Sequence, residues 1–532
     1  MANEAADTGN KGVQTEKREY RKELNFWHIV FLTVGAIFGS AVAFVPVYVL
    51  AYGGPAGILA WPIAFLLILP IAFLYVELGT MWPRSGGIAY YPARSHGSIV
   101  GLMNGWSTFI GYTLALPTEV AVVVEYFGLY YPPLYNNGTI TALGIAVGVF
   151  ILVLIFIVEI RHVKVIGNVN NIFTIIKVLM MVIIALVLIS FFDGKNLTLY
   201  GGFAPMGFPG IFLAISATIF AYAGFRQPID YAEEIKEPGK VLPKAIGISL
   251  VIVMILYILE SVAFVGTINW GKLNLSSGNW GGLFSLGSPY SSASINVGLA
   301  AFAVAAVIVI IIASFSDGIV YWGGAARVGN TLSRYDRYFP DFFSRLSKRG
   351  IPFNSVVVVF GIAIFYLLLL PSFASLIGVF IDAVVISYAQ SAISLAIFRK
   401  KYPNENRPYR LPVYKVMTPV AYVIAGLLVY WSGFHAMEIA IPSVFAGLLF
   451  LIIAKRKNNF SMADVRSGIW LPIYLVVIVL LSYVGSAYFG GKNYIPFPWD
   501  NLVFIAVTLV FFYWGYYSGM KYTGKGVLDV TD

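Results

Sequence analysis

The sequence predicts an all-α integral membrane protein built mostly from transmembrane helices. Hydrophobic residues make up 59% of the 532 residues and charged residues only 11%, whereas soluble domains carry about 25% charged residues. The mean hydropathy is +0.81. The apolar residues also fall into long runs, and about 20 consecutive apolar residues are enough for a helix to cross a bilayer. These observations argue against an ordinary soluble fold.

Fourteen such runs follow one another along the chain, so we expect about 14 transmembrane helices. They lie at residues 26–50, 58–82, 99–128, 140–158, 168–192, 209–232, 242–266, 295–323, 354–374, 376–398, 416–434, 437–455, 469–488 and 500–520. We number these predicted helices 1 to 14 in this order.

The basic residues are distributed as a membrane topology requires. The chain carries 35 Lys and Arg and a formal net charge of +10. With the N-terminus in the cytoplasm, the outer loops contain Lys195, Lys272 and Lys492, and almost all the other basic residues fall in the tails and inner loops. Positive residues concentrate on the cytoplasmic side of membrane proteins. The charge therefore predicts a multi-pass plasma-membrane protein with cytoplasmic N- and C-termini, and it gives no reason to expect a nucleic-acid partner.

Two of the apolar runs are interrupted near their middle. Residues 35–41 (Gly-Ala-Ile-Phe-Gly-Ser-Ala) interrupt helix 1, and residues 220–224 (Phe-Ala-Tyr-Ala-Gly) interrupt helix 6. A helix that gives up hydrogen bonds at membrane depth needs other partners for the freed backbone groups, and a bound solute can supply them. Helices 1 and 6 stand five helices apart, an odd offset that gives two five-helix groups opposite orientations. Such a pair indicates a transporter site; close helix packing through glycine is the alternative explanation.

Other kinds of chemistry lack the residues that they need. The chain contains no cysteine, which excludes disulfides and thiolate metal sites. The sequence has no phosphate-binding loop of the GxxxxGK[ST] type, and it shows no nucleophile–base pair and no set of residues at metal-ligand spacing. We therefore expect no cofactor, no metal and no enzymatic activity, and we expect an ion gradient to drive any transport.

Short motifs resemble those of the amino acid–polyamine–organocation (APC) transporters, from about residue 24 to residue 415. In chain order, they are residues 35–41 in helix 1, 83–90 (PRSGGIAY) after helix 2, 220–225 (FAYAGF) in helix 6, 233–238 (EEIKEP) after it, 327 with 339–340 and 350–352 after helix 8, and 407–412 (RPYRLP) after helix 10. All six motifs occur in the order and on the topological side that the family has.

The resemblance implies a core of two inverted five-helix repeats (5+5), with the substrate bound at mid-depth between broken helices 1 and 6. A cytoplasmic tail would cover residues 1–24, the first repeat (helices 1–5) residues 25–200, and the second (helices 6–10) residues 201–415. Four C-terminal accessory helices, 11–14, would occupy residues 416–520, and a second cytoplasmic tail residues 521–532.

The resemblance also implies how an amino acid zwitterion is held. The substrate carboxylate would accept hydrogen bonds from the amides of Gly39, Ser40 and Ala41, at the positive end of a half-helix. The family usually has glycine where this chain has Ala41. Alanine keeps the amide donor, but its methyl group narrows the approach.

The substrate ammonium, by the same resemblance, would lie at free carbonyl groups. These belong to Ile37 in helix 1 and to Phe220 and Ala223 in helix 6, where Ala221 and Gly224 complete the interrupted segment. Phe220 also stands where the family places an aromatic residue over the substrate.

Lys177 lies inside predicted helix 5, about 13 Å from its start at 1.5 Å per residue. A lysine at this depth is a functional candidate. Proton-coupled members of the family carry a lysine at the corresponding place, so the resemblance implies that Lys177 contacts the carbonyl of Gly35 and the hydroxyl of Ser314 and couples transport to protons. A fixed structural tether is the alternative.

Arg226 follows the interruption of helix 6 and disfavours a cationic substrate through charge repulsion. Two interpretations stay open. Asp230 lies four residues further on and would pair with it, or Arg226 receives the acidic side chain of a substrate. Further buried acids are candidates for proton relay or for structural pairing: Glu119, Glu125, Glu260, Asp317 and Asp382, with Glu77 expected to cap or pair near the inner end of helix 2.

We therefore predict a secondary active amino acid transporter that works by alternating access, with an amino acid, protons and the lipid bilayer as its partners. Proton symport of neutral or acidic amino acids is the favoured form. The alternatives are an exchanger without net proton coupling, a polyamine or cationic amino acid carrier, and an amino acid sensor that does not transport.

Overall fold

The computed structural model describes residues 19–524 apart from 129, 137, 287 and 458. Most of the two predicted tails therefore lies outside the described residues. The described chain is helical, except for one two-residue hairpin of β1 (Tyr135–Asn136) and β2 (Thr139–Ile140). The helices are α1 (Phe26–Ile37), α2 (Val45–Gly53), α3 (Ala60–Met81), α4 (Gly87–His96), α5 (Ser98–Gly128), α6 (Ala142–Glu159), α7 (Val163–Ile189), α8 (Gly207–Ala221), α9 (Pro238–Gly266), α10 (Pro289–Asn296), α11 (Ala300–Arg334), α12 (Phe353–Leu369), α13 (Phe373–Lys401), α14 (Tyr414–Trp431), α15 (Phe434–Phe445), α16 (Leu451–Arg456), α17 (Met462–Gly468), α18 (Trp470–Val484) and α19 (Trp499–Met520).

Eleven helical segments among the described residues are long and apolar enough to cross a membrane, and α1 and α12 are shorter apolar helices. Several of these segments expose large apolar side chains: Leu66 of α3, Phe150 of α6 and Leu179 of α7 are each more than half exposed. Contact of such apolar surfaces with water is unfavourable, whereas their contact with lipid tails is not. The chain is a multi-pass membrane protein.

The hydropathy pattern misplaces the ends of several long helices and misses short ones. Predicted helix 8 stops at residue 323, yet α11 continues to Arg334. Its last turns carry polar residues that face protein instead of water, such as Asn330 and Thr331, both fully buried. The short helix α4 went unpredicted because its sequence, GIAYYPARSH, mixes polar and apolar residues over less than a membrane thickness.

The first interruption lies about one turn later than the sequence indicated. Gly35 and Ala36 still belong to α1, whose last hydrogen bond runs from the amide of Phe38 to the carbonyl of Val34 (2.8 Å). Residues 38–44 then leave the α-helix, with one 3₁₀ turn at Ser40–Ala43. Pro46 lies in the first turn of α2, and its missing N–H prevents an α-helix from running through this point.

The second interruption lies against the first. Helix α8 ends at Ala221 and continues as a 3₁₀ helix, Ala223–Asp230. Gly224 brings the two backbones together, because a Cβ at this residue would lie 2.6 Å from the amide nitrogen of Ile37. The two freed helix ends therefore face the same point in the bundle.

Buried ion pairs of Arg327 with Glu234 and of Arg94 with Asp336 lie at one end of the bundle, which we name the basic end. Arg327 binds the carboxylate of Glu234 through two nitrogens, and both side chains are buried. The amides of Glu23 and Leu24 donate to the carbonyl of Glu234 (3.0 and 2.9 Å) and tie the N-terminal segment to the same place. Arg94 pairs with Asp336, which follows Arg327 by nine residues in the chain (3.0 Å).

Candidate functional site

A cavity of about 360 Å³ lies where the two interruptions meet, within the size range of small-molecule sites, about 300–1,000 Å³. Seven residues that the sequence analysis assigned to the substrate site line it: Ile37, Gly39, Ser40, Ala41, Ala221, Ala223 and Gly224. The eighth, Phe220, is the residue before the end of α8 at Ala221, and its side chain lies outside the described residues.

The rest of the cavity wall is mostly apolar, and its polar groups are two carboxyl groups and the hydroxyls of Tyr48 and Tyr321. Phe44, Phe373 and Phe380 supply aromatic surface, and the carboxyl groups belong to Glu119 of α5 and Asp317 of α11. Both acids are almost completely buried, with relative exposures of 3% and 4%. A buried carboxylate is costly unless it is paired or hydrogen-bonded, so their partners define the chemistry of the site.

Glu119 is hydrogen-bonded to the interruption of the first helix. The amide of Ser40 donates to Oε2 at 3.1 Å, and the Ser40 hydroxyl donates to Oε1 at 2.6 Å. The freed amide that the sequence assigned to the substrate carboxylate thus already binds a carboxylate. This arrangement demonstrates the anion-binding chemistry of the segment.

The carbonyl groups of both interruptions accept hydrogen bonds from tyrosines. Tyr257 donates to the carbonyl of Ile37 at 3.0 Å, and Tyr388 donates to the carbonyl of Ala223 at 2.5 Å. A carbonyl oxygen has two lone pairs, so each carbonyl can still accept from an ammonium group. The tyrosines hold both carbonyls in place.

Lys177 is completely buried in α7 and donates to the carbonyl of Gly35 at 3.0 Å. This contact is the one that the sequence analysis expected. The ammonium also acts electrostatically on Asp317 and Glu119. Lys177 therefore joins the first interrupted helix to the two acids of the cavity.

The expected contact between Lys177 and Ser314 does not form. Among the described residues, the Lys177 ammonium donates to the Gly35 carbonyl and not to the Ser314 hydroxyl, which lies close to Glu119. Ser316, about 200° further around the helix at 100° per residue, lies on the side of α7 and donates to Asn170 (2.9 Å). Ser314 shares its face with Asp317, three residues on, and the Asp317 carboxyl group acts on the Lys177 ammonium electrostatically.

Arg226 is fully buried beside the cavity within a group of aromatic rings. Its guanidinium carbon lies 4.3 Å from the ring centre of Tyr388, 5.3 Å from Tyr112 and 5.9 Å from Tyr75. Nη2 reaches the carbonyl of Val384 at 3.5 Å, while Nε and Nη1 have no hydrogen-bond partner among the described residues. Two charged donors thus remain unsatisfied in a buried position.

The ion pair between Arg226 and Asp230 is not formed directly. Asp230 instead accepts a hydrogen bond from the hydroxyl of Tyr112 at 2.9 Å. The reason is the 3₁₀ geometry of Ala223–Asp230: with three residues per turn, positions four apart do not share a face, as they would in an α-helix. Tyr112 stands between the two charges.

The remaining candidate acids lie elsewhere. Glu77 pairs with Arg399 (2.5 Å) and Arg407 (3.3 Å) and accepts the amide of Leu411 (2.7 Å), as expected for an acid near the helix end. Glu260 is buried, and neither of its oxygens has a partner among the described residues. The Asp382 side chain lies outside the described residues.

The sequence analysis did not foresee that Glu119 and Asp317 share the cavity. Glu119 lies 79 residues from Ser40, its hydrogen-bond partner, and Asp317 belongs to a helix much further along the chain. Isolated acids in apolar helices are the signal that was present. Their convergence depends on tertiary packing, which no local pattern contains.

Comparison with known proteins places this architecture in a family. The amino acid permease family matches residues 24–454. The aspartate-proton symporter of Bacillus subtilis (strain 168) is 31% identical over 525 residues, covering 97% of this chain and 99% of the symporter. The glutamate/serine transporter AimA of the same organism is 28% identical over 524 residues, covering 94% of this chain and 95% of the transporter.

A methylthioribose transporter of Bacillus subtilis (strain 168) is also similar, at 25% identity over 84% of this chain and 96% of that protein. The relatives thus share the membrane-transport role while their substrates differ. The resemblance noted in the sequence is confirmed, and so is the expectation that the protein is not an enzyme. The chain belongs to the amino acid permease family of membrane transporters.

Proposed function

We propose that this protein is a secondary active transporter that carries an amino acid together with protons by alternating access. One observation carries the proposal: freed backbone groups, Glu119 and Asp317 line the cavity between the two interrupted helices, and the buried Lys177 donates to the Gly35 carbonyl of the first of these helices. The names of two relatives, an aspartate-proton symporter and a glutamate/serine transporter, support it.

The substrate zwitterion is bound by backbone groups at both interruptions. Its carboxylate binds amides of Gly39, Ser40 and Ala41, and its ammonium binds carbonyls of Ile37, Phe220 and Ala223. Support for the first contact comes from the Ser40 amide, which already binds a carboxylate at 3.1 Å. The apolar cavity wall excludes water and strengthens both electrostatic contacts.

Lys177 is proposed as a proton-coupling residue. A buried ammonium is stable while its charge is matched, and here the match consists of the Gly35 carbonyl and two nearby carboxyl groups. When the site opens toward the other side, movement of the first interrupted helix removes part of that match and favours release of a proton.

Arg226 is proposed to select substrates that carry an acidic side chain. Its two unsatisfied nitrogens are buried near Val384, which lines the cavity. A substrate carboxylate would satisfy them, and a buried charged donor gains most from such a partner. The like charge would repel a lysine or polyamine substrate.

The proposal extends to the architecture and topology. Helices within residues 25–200 and 201–415 would form inverted repeats around the cavity, with about 14 membrane helices in all, four of them accessory helices in residues 416–520. The concentration of Lys and Arg in alternate loops supports cytoplasmic N- and C-termini in the plasma membrane.

The test is uptake of labelled aspartate, glutamate and serine into proteoliposomes with an inward proton gradient and no sodium. Concentrative uptake that a protonophore abolishes is the expected result. A Lys177→Ala variant should lose accumulation, while Lys195→Ala, an exposed loop lysine, serves as the matched control and should behave as the wild type. Uptake that requires preloaded amino acid would instead make the protein an exchanger.

A second variant, Arg226→Gln, tests substrate selection. It should reduce the preference for aspartate and glutamate over serine by at least about tenfold, since the charged donors are lost. The measurement is inhibition of labelled uptake by each unlabelled amino acid. An equal loss for acidic and neutral substrates would assign Arg226 a structural role within its tyrosine cluster.

A further inference from the structure

The Glu119 carboxyl group accepts a hydrogen bond from the Ser40 amide, a donor that the substrate carboxylate is proposed to use. Both of its oxygens are engaged by Ser40, at 3.1 Å to the amide and 2.6 Å to the hydroxyl. A substrate carboxylate arriving at this amide would meet a carboxylate already in place. Two like charges in a buried, apolar cavity repel strongly, so both cannot stay there ionised.

Asp317 provides the group to which Glu119 can turn. The two carboxyl groups line the same cavity and interact with each other, and Oδ1 of Asp317 has no hydrogen-bond partner among the described residues. Asp317 also packs against Gly39, where a Cβ would lie 2.6 Å from its carboxyl carbon. A pair of adjacent carboxyl groups is stable when one of them holds a proton.

We propose that Glu119 is an internal competitor of the substrate carboxylate, and that its displacement from Ser40 obliges it to take up a proton. This inference rests on the proposed function and adds a second proton-binding site to it. The substrate class is any amino acid with a free α-carboxylate, since the competition involves that group alone.

The proton balance is simple. Before binding, Asp317 holds the one proton of the pair, and the Glu119 carboxylate accepts both hydrogen bonds from Ser40. The arriving substrate carboxylate takes the amide, and Glu119 gains one proton from the aqueous solution that fills the open cavity and hydrogen-bonds to the Asp317 carboxyl group. When the substrate leaves on the other side, Glu119 gives up this proton to that solution and returns to Ser40. One proton thus crosses with each amino acid at this site.

The groups that face the two acids favour this exchange. Lys177 of α7 acts on both carboxyl groups, and the hydroxyl of Tyr257 on α9 lies in the field of both. Tyr321 of α11 faces Asp317. Lys177 and Ser40 stabilise ionised Glu119 while no substrate is bound, and the incoming negative charge reverses that preference.

The experiment titrates the purified full-length protein with L-aspartate, L-glutamate and L-serine by calorimetry, at pH values from 6 to 8.5 and in two buffers with different ionisation enthalpies. Glu119→Gln keeps the size of the side chain but cannot bind the proton. We expect it to take up one proton fewer per bound amino acid than the wild type. Binding of one proton with the amino acid changes Kd by about tenfold per pH unit. Glu119→Gln should lose this part of the pH dependence.

Glu438→Gln is the control for the same substitution, because Glu438 is exposed, pairs locally with His435 and does not line the cavity, and it should match the wild type. Equal proton uptake by Glu119→Gln and the wild type would overturn the inference and leave the proposed function standing. A wild type that binds none of the three amino acids would overturn the proposed function itself.

Ser40→Ala keeps the inference testable if Glu119→Gln does not fold. This variant removes the 2.6 Å hydroxyl contact and keeps the amide, so Glu119 is held less firmly. Its Kd at pH 8.5 should be lower than that of the wild type, with proton uptake retained. An unchanged or higher Kd would contradict the competition.

Discussion

At the scale of single residues, the cavity depends on a glycine that admits an acid. Gly39 has φ −92°, a value that any residue adopts, so the backbone does not require glycine there. The side chain of Asp317 does, because it occupies the space in which a Cβ at Gly39 would lie. Gly39 therefore lets the Asp317 carboxyl group pack against the backbone of the first interruption.

Gly39→Ala should accordingly weaken substrate binding by more than about tenfold, since the new methyl group pushes the Asp317 carboxyl out of its place. Kd for aspartate, glutamate and serine is the quantity to measure. Gly361→Ala is the control, because a Cβ there meets nothing within 4 Å. Equal Kd values for Gly39→Ala and the wild type would show that Asp317 moves aside without consequence.

At the scale of elements, α4 connects the core to the peripheral helix α19. His96 ends α4, outside the membrane-spanning segments, and hydrogen-bonds to the carbonyl of Gly515 (2.9 Å) and to the hydroxyl of Ser95 (2.7 Å). The carbonyl can only accept, so Nε2 carries the ring proton and Nδ1 accepts from Ser95. Burial lowers the pKa of His96 from 6.5 to about 4.

This lowered pKa predicts a loss of stability in acid. Between pH 6.5 and about 4 the unfolded chain binds a proton at His96 that the folded chain does not, so stability is full above pH 6.5 and falls as the pH decreases through this range. The total effect is about 3 kcal/mol. The drop in Tm between pH 7.5 and pH 5 should therefore be smaller for His96→Gln than for the wild type.

His435→Gln is the control for this measurement, because His435 is exposed and pairs locally with Glu438. It should show the acid sensitivity of the wild type. An identical drop in Tm for His96→Gln and the wild type would mean that other buried groups account for the acid sensitivity.

The sequence pattern predicts the positions of the helices better than it predicts which residues of different helices come into contact. Apolar runs are long and uniform, so α3, α5, α6 and α19 begin and end within two residues of the expected positions, whereas the other helices differ by more at one end or both. Both interruptions are visible as glycine-containing polar breaks. The Lys177–Gly35 contact followed from the family resemblance. Patterns of this kind carry no information on the side chains that fill the cavity.

The errors have the same physical origin. The i,i+4 rule led to a direct Arg226–Asp230 pair, and the 3₁₀ geometry that prevents this pair is imposed by packing against the first interruption. The pairing of Glu119 with Ser40 joins residues 79 positions apart. Both features arise from tertiary contacts, which local periodicity does not encode.

At the scale of the whole molecule, the ion pairs of the basic end and the cavity are separate features of the bundle. The basic end is closed by buried ion pairs, among them Arg327 with Glu234 and Arg94 with Asp336, while the cavity lies further along the bundle at the interrupted helices. A transporter of this kind opens its two sides in turn. The ion pairs at the basic end would have to separate in each cycle, and breaking a buried pair is costly. Under the proposed mechanism, substrate and proton binding at the cavity would supply that free energy.

The most direct test of the central claim is a measurement of proton flux that the amino acid itself drives. Proteoliposomes are loaded with a pH-sensitive dye and kept at equal pH inside and outside, without sodium, and aspartate, glutamate or serine is then added outside. The account predicts that the interior acidifies with the substrate, and that Lys177→Ala abolishes the acidification. Amino acid uptake without any change of internal pH would contradict proton coupling.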